Sequence, residues 1–196
     1  MKTKSRLVTG EKSWESGVLL PALLLGSVPA AVIGLSARKQ IEALFHNPLS
    51  VAVPLFLVGF LLWWVDKVAP SDRSLPELSL KDGVLIGLAQ ACALIPGVSR
   101  SGATITAARA LGMDRSGAAR FSFLLGTPAM GGAALLHWRD FLVSWHQPGF
   151  LLGVLTSFLV GCLAIRFFLG FIQKFGFLAF ALYRAAVALC LIWLFR

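Results

Sequence analysis

Nine consecutive residues, Pro96-Gly97-Val98-Ser99-Arg100-Ser101-Gly102-Ala103-Thr104, gather three hydroxyls, two glycines and a guanidinium inside an otherwise apolar stretch. An arginine at bilayer depth costs roughly 2.5 to 3.5 kcal/mol on insertion scales, so this one demands compensation. A turn that opens a helix presents free backbone N–H groups. Together with the hydroxyls and the guanidinium these are the parts of an anion site, and phosphate fits them best. Arg100 can hold two phosphate oxygens at once, a geometry that lysine cannot copy. Ser99, Ser101 and Thr104 are candidate donors, and Gly97 and Gly102 would supply the turn and a close backbone approach. The bland alternatives are an arginine tying the turn to backbone carbonyls and hydroxyls bonding back to a preceding carbonyl. Gln90, six residues before Pro96, cannot by itself be a strong base or a hard-metal ligand; it reads as a hydrogen-bonding partner, with helix–helix contact as the alternative.

The elements that must position this turn are membrane helices. Hydrophobic residues make up 57% of the chain, charged residues 14%, and mean hydropathy is +0.79. This lies outside the soluble globular range. Long apolar stretches fall at about 17–36, 50–65, 118–137, 149–172 and 176–195. The flanks of the turn, 84–95 and 103–111, are each about half of the ~20 residues that span a bilayer, so 83–112 reads as a re-entrant hairpin broken at the turn. The expectation is an all-α polytopic membrane protein with about five transmembrane helices plus one re-entrant broken-helix hairpin. Residues 1–16 would form a polar N-terminal segment and 17–196 a single membrane domain. Span 50–65 is short and would need Trp63 and Trp64 at the interface. Pro21, Pro29, Pro54 and Pro128 are tolerable among packed membrane helices.

The net charge of +9 is dispersed over loops, which argues against a nucleic-acid surface and for topology. With the N-terminus cytoplasmic, Lys2, Lys4, Arg6, Lys12, Lys67, Arg73, Lys81, Arg115 and Lys174 lie inside, against Arg38, Lys39, Arg139 and Arg196 outside. The positive-inside rule favours that orientation, with the hairpin entering from the cytoplasmic side. The first span, preceded by basic residues, imitates a secretory signal but is read as retained. Cys92, Cys162 and Cys190 lack metal or redox spacing and are expected to be small buried hydrophobes.

The run Gln90 to Arg109, QACALIPGVSRSGATITAAR, followed by FSFLLGTPAM at 121–130, resembles the undecaprenyl-diphosphatases of the bacitracin-resistance type. LLLGSVPAAVIGL at 23–35, LFHNP at 44–48 and ALYRAAVA at 181–188 extend the resemblance over nearly the whole chain from about Leu19. It implies a phosphatase in the bacterial inner (plasma) membrane that converts the C55 diphosphate lipid to its monophosphate, with Ser99 and Arg100 in the phosphate site and the site open to the periplasm. It also implies a divalent cation, Mg2+ or Ca2+. Its metal ligands and catalytic groups would be glutamates and a histidine of an earlier repeat, with a Glu-rich motif and a Pro-Val-Ser-Ser-Thr-Gly-His turn, and this chain looks like the C-terminal two-thirds of that fold.

The partners expected are therefore a polyprenyl diphosphate lipid and the membrane, with no nucleic acid; a homodimer is a possible assembly. An alternative is a non-enzymatic binder or transporter of an anionic lipid, and a third reading is a truncated or mis-started product. Glu11 and Glu15 have i, i+4 spacing but read as a solvated face. Asp66, Asp72, Glu77 and Asp82 receive no role, and His46, His137 and His146 fall at span ends. Arg166 is expected to snorkel toward Lys174. Arg184 is expected to face the bundle interior in a structural hydrogen bond, with a second phosphate contact as the alternative.

Overall fold

The computed structural model describes residues 17–44 and 48–195, so Glu11, Glu15, the N-terminal basic residues and His46 lie outside the described residues. The described chain runs through α1 (Leu19–Leu44), α2 (Pro48–Val68), a 3-10 turn (Leu75–Glu77), α3 (Leu80–Cys92), α4 (Arg100–Ala110), α5 (Arg115–Leu136), α6 (Trp138–Ser144), α7 (Phe150–Phe175) and α8 (Leu178–Phe195). No strand occurs among the described residues.

Among the described residues four helices are long and apolar enough to cross a membrane: Leu19–Ala37 within α1, Leu49–Val68 within α2, α7 and α8. Helix α5, where the sequence suggests a fifth span, has 22 residues and a length of about 33 Å, but Arg120, Gly126, Pro128, Gly131 and Gly132 interrupt its apolar character. Helix α2 runs 21 residues, longer than the apolar stretch suggested, so it needs no help from its tryptophans to reach across.

Helices α3 and α4 have 13 and 11 residues, too few to span. They pack on each other, and the two mouths of the hairpin meet: Arg73 N–H donates to Gly112 O at 3.1 Å and Asp114 N–H to Arg73 O at 2.8 Å. The Arg73 guanidinium adds bonds to Leu111 O at 2.9 Å and to Asp82 Oδ2 at 2.6 Å. Asp82 also closes a capping box with Ser79 at the start of α3. Burial pushes the Asp82 carboxyl up, but the bonds from Arg73 and Ser79 outweigh it and hold the carboxyl below the usual range. The segments before and after the hairpin are thus stitched together on one side. Cysteine labelling should agree: Ser71→Cys and Ser116→Cys, in a background lacking Cys92, Cys162 and Cys190, are expected to react from the same side, and Gln147→Cys beyond α5 from the other. Opposite reactivity of Ser71→Cys and Ser116→Cys would contradict a re-entrant hairpin.

Depth comes from a close, parallel packing of α3 on α1. Ala22 and Gly26 on α1 meet Gly83 and Gly87 on α3, and a Cβ on Gly87 would stand 2.0 Å from Gly26 O. Small residues four apart let membrane helices approach at backbone distance. A core of Ile86, Ile105, Phe121, Leu125, Ile172 and Phe177 joins the hairpin to α5, α7 and α8. The outward faces carry exposed leucines, valines and phenylalanines, as a lipid-facing surface requires. Contrary to the sequence expectation, Cys92, Cys162 and Cys190 are exposed on that outer surface rather than buried. A bilayer offers them an apolar setting there as well.

Candidate anion-binding site

The hairpin turn is built by residues that cannot continue a helix. After α3, tight bonds from Ala93, Leu94 and Ile95 N–H to Gln90, Ala91 and Cys92 O wind the chain down to Pro96. Gly97 follows at φ +89°, a conformation that side chains rarely adopt, and a Cβ there would also stand 2.3 Å from Val51 O of α2. Ser99 then caps α4: its Oγ accepts the Gly102 N–H at 3.1 Å and lies 3.2 Å from Ser101 Oγ. The result is a helix N-terminus carrying two adjacent hydroxyls. Its partial positive charge favours an anion.

Two arginines lie near this terminus, turned to different helices. Arg100 points to α5, where Nη1 donates to Gly126 O over a long 3.5 Å. A Cβ on Gly126 would stand 2.5 Å from Arg100 Nη2, so a side chain there would displace the guanidinium from its present place. This gives the glycine of FSFLLGTPAM a function that its sequence does not announce. Arg184 of α8 donates from Nε to Leu55 O at 3.2 Å and from Nη2 to Gly97 O at 3.1 Å. The structural hydrogen bond expected of Arg184 is present, twice. Gly59 on α2 makes room for its stem, since a Cβ there would be 3.1 Å from Arg184 Cβ.

Thr104 departs from the sequence reading. It is fully buried, and its hydroxyl is spent on Arg100 O at 2.8 Å and on Ser122 Oγ at 2.6 Å. It joins α4 to α5 and offers nothing to a ligand at the turn. Gln90 is 4% exposed, and its Oε1 has no hydrogen-bond partner among the described residues. An unpaired buried acceptor of this kind is costly.

Ser99, Ser101, Gly102 and Arg184 line a cavity of about 200 Å3. The rest of the lining is Leu62, Ile105, Phe168, Phe177, Phe180 and Tyr183. Phe180 stacks edge-on against Phe168, ring centres 5.1 Å apart. The lining combines two hydroxyls and a guanidinium with aromatic and aliphatic side chains, which suits an amphiphile with an anionic head. The aromatic wall has no signature in the sequence beyond general apolarity.

At the hairpin mouths a different cluster forms. Asp66, near the end of α2, accepts from Arg109 Nε at 3.2 Å and from Arg115 Nε and Nη2, both at 2.9 Å. Arg109 is 2% exposed and spends its other donors on backbone oxygens of Asp66, Ala69, Pro70 and Met113. Gly176, between α7 and α8, packs directly on the Asp66–Arg115 pair. The sequence reading gave Asp66 no role; the clue it offered was two downstream arginines in need of a carboxylate. Along α2, Val51 at the turn and Asp66 at this cluster are fifteen residues apart, about 22 Å of axis. The hairpin turn therefore lies toward the end of α2 opposite the hairpin mouths.

The family model described as "Bacitracin resistance protein BacA" matches residues 2–190. Among curated relatives, an undecaprenyl-diphosphatase of Moorella thermoacetica is 42% identical over 190 residues, covering 95% of this chain and 73% of the relative. Proteins of the same name from Pelotomaculum thermopropionicum and Thermodesulfovibrio yellowstonii are 44% and 42% identical, and the aligned part covers 64% and 70% of their lengths. The chain thus spans about two thirds to three quarters of these relatives.

Proposed function

Since the chain belongs to the bacitracin resistance protein BacA family, we propose that it acts on undecaprenyl diphosphate and releases its terminal phosphate to leave undecaprenyl phosphate, the carrier form reused in cell-wall synthesis. The observation that carries this reading is the cavity at the start of α4, which Ser99 and Ser101 line together with aromatic, prenyl-compatible side chains. Water would add to the terminal phosphorus while the bridging P–O bond breaks toward the lipid phosphate. Arg100, the two hydroxyls and the α4 N-terminus would hold the phosphoryl oxygens on which charge builds in the transition state.

A divalent cation is part of what the sequence resemblance implies. Among the described residues the cavity wall carries no carboxylate, imidazole or thiolate, and no group of three or more His, Cys, Asp or Glu side chains could hold a metal. This wall does not fit a hard cation, which prefers carboxylate oxygens. None of the roles assigned above passes through one.

We place the protein in the bacterial plasma membrane with Lys67, Arg73, Lys81, Arg115 and Lys174 on the cytoplasmic side, as the positive-inside rule favours. The hairpin then enters from the cytoplasm while its turn opens toward the outer leaflet. Phe177 adjoins Gly176 at the Asp66–Arg115 cluster, so a prenyl tail lying toward it would run from the turn back toward the cytoplasmic side.

The direct test is phosphate release from undecaprenyl diphosphate by the purified chain in detergent micelles. We expect tight binding of the diphosphate lipid and slow release, because no general base stands in the cavity among the described residues and such a base typically contributes ~10² to 10⁴ in rate. Binding no tighter than to undecaprenol, which has no phosphate, would overturn the substrate reading. Tight binding with no release at all would instead identify an anionic-lipid binder.

A further inference from the structure

We propose that Arg184 is the phosphate-binding guanidinium of this cavity, whose lining does not include Arg100, a role that rests on the diphosphate lipid being the ligand. Its two backbone bonds hold Nε and Nη2 and leave Nη1 as the donor on the cavity side. Nη1 lies beside Gly102, which lines the same cavity as Ser99 and Ser101: a Cβ on Gly102 would stand 2.8 Å from it.

Charge points the same way. The other deeply buried arginine, Arg109, is neutralised by Asp66, and Arg73 by Asp82. Arg184 is 8% exposed and pairs with no carboxylate among the described residues, and neither does Arg100. An arginine buried among apolar helices without a counter-charge is expensive, and such residues mark ligand positions. Two unneutralised guanidiniums near the α4 N-terminus, Arg184 in the cavity lining and Arg100 turned to α5, suit the charge of a diphosphate better than that of a monophosphate. Fixed by two carbonyls, Arg184 is also pre-organised, so little freedom is lost when a phosphate arrives.

The test is selectivity. The full chain in detergent is titrated calorimetrically with farnesyl diphosphate and with farnesyl monophosphate. Arg184→Gln keeps an amide donor for the carbonyls and removes the charge. It is expected to lose diphosphate affinity at least tenfold and monophosphate affinity about twofold, so that the preference for diphosphate collapses while the melting temperature stays near that of the parent. Arg184→Lys should lower the same preference at least threefold, because one ammonium cannot serve two carbonyls and a phosphate. An unchanged preference overturns the proposal, as does a proportional loss of both ligands, which is what a merely structural arginine would give; if the glutamine variant does not fold, the lysine variant decides by the same ratio. Failure of the parent chain to bind either ligand would instead defeat the substrate reading beneath it.

Discussion

Asp66→Ala is expected to destabilise the protein by about 3 to 5 kcal/mol, the usual cost of removing one partner from a buried ion pair. The carboxylate is 8% exposed and takes three guanidinium bonds, from Arg109 and Arg115. Without it Arg109, almost wholly enclosed, keeps its backbone bonds and loses its counter-charge. Helices α2, α4 and α5 and the α7–α8 junction all meet at this carboxylate, so the loss spreads beyond one contact. Arg115→Ala should be much milder, since that side chain is 35% exposed and its removal leaves Asp66 still paired with Arg109. Thermal unfolding in a fixed detergent would compare the two variants. Equal and small effects would show that the cluster is not what closes this end of the bundle.

Arg100→Ala is expected to lower any phosphate release by about 10² to 10³, the range seen in turnover when one donor to a developing oxyanion is removed, and to weaken binding of the diphosphate lipid. The structure separates this from a folding defect. Arg100 makes a single long bond to Gly126 O, so its loss removes little internal bonding and relieves an unneutralised charge. The variant should therefore insert and melt like the parent. Arg100→Lys should fall between the two, because an ammonium preserves charge without the two-pronged contact. Parent-like affinity in the alanine variant would remove Arg100 from the site.

The helical character of the chain, the broken hairpin and the capped turn were legible because each depends on local signals: apolar runs, their lengths, and a Gly-Val-Ser-Arg-Ser-Gly string that can only be a turn and a helix start. The roles of Gly126, Asp66 and Thr104 were not. Gly126 matters because a guanidinium from 26 positions earlier lies on it, and Asp66 because Arg109 returns to it across 43 positions. Thr104 stands in the phosphate-like string by sequence, yet α4 turns it toward Ser122 and away from the cavity. One helical rotation decides whether a hydroxyl meets a ligand or a neighbouring helix, and composition carries no such angle. The cysteines were misplaced for a related reason: in a bilayer the outside is as apolar as the inside, so hydrophobicity alone does not tell core from surface.

The depth of the turn has an electrical consequence. With the turn about 22 Å along α2 from the hairpin mouths, in a hydrocarbon layer about 30 Å thick, a charge bound there lies roughly three quarters of the way across the membrane field. A transmembrane voltage of about 100 mV is worth ~2.3 kcal/mol per elementary charge over the full distance. A phosphate arriving from the nearer face crosses only about a quarter of that drop, whereas one arriving past Asp66 and Arg109 crosses the rest. Occupancy of the turn is therefore only weakly sensitive to membrane voltage when the headgroup enters from the outer leaflet, and strongly sensitive when it enters from the cytoplasm.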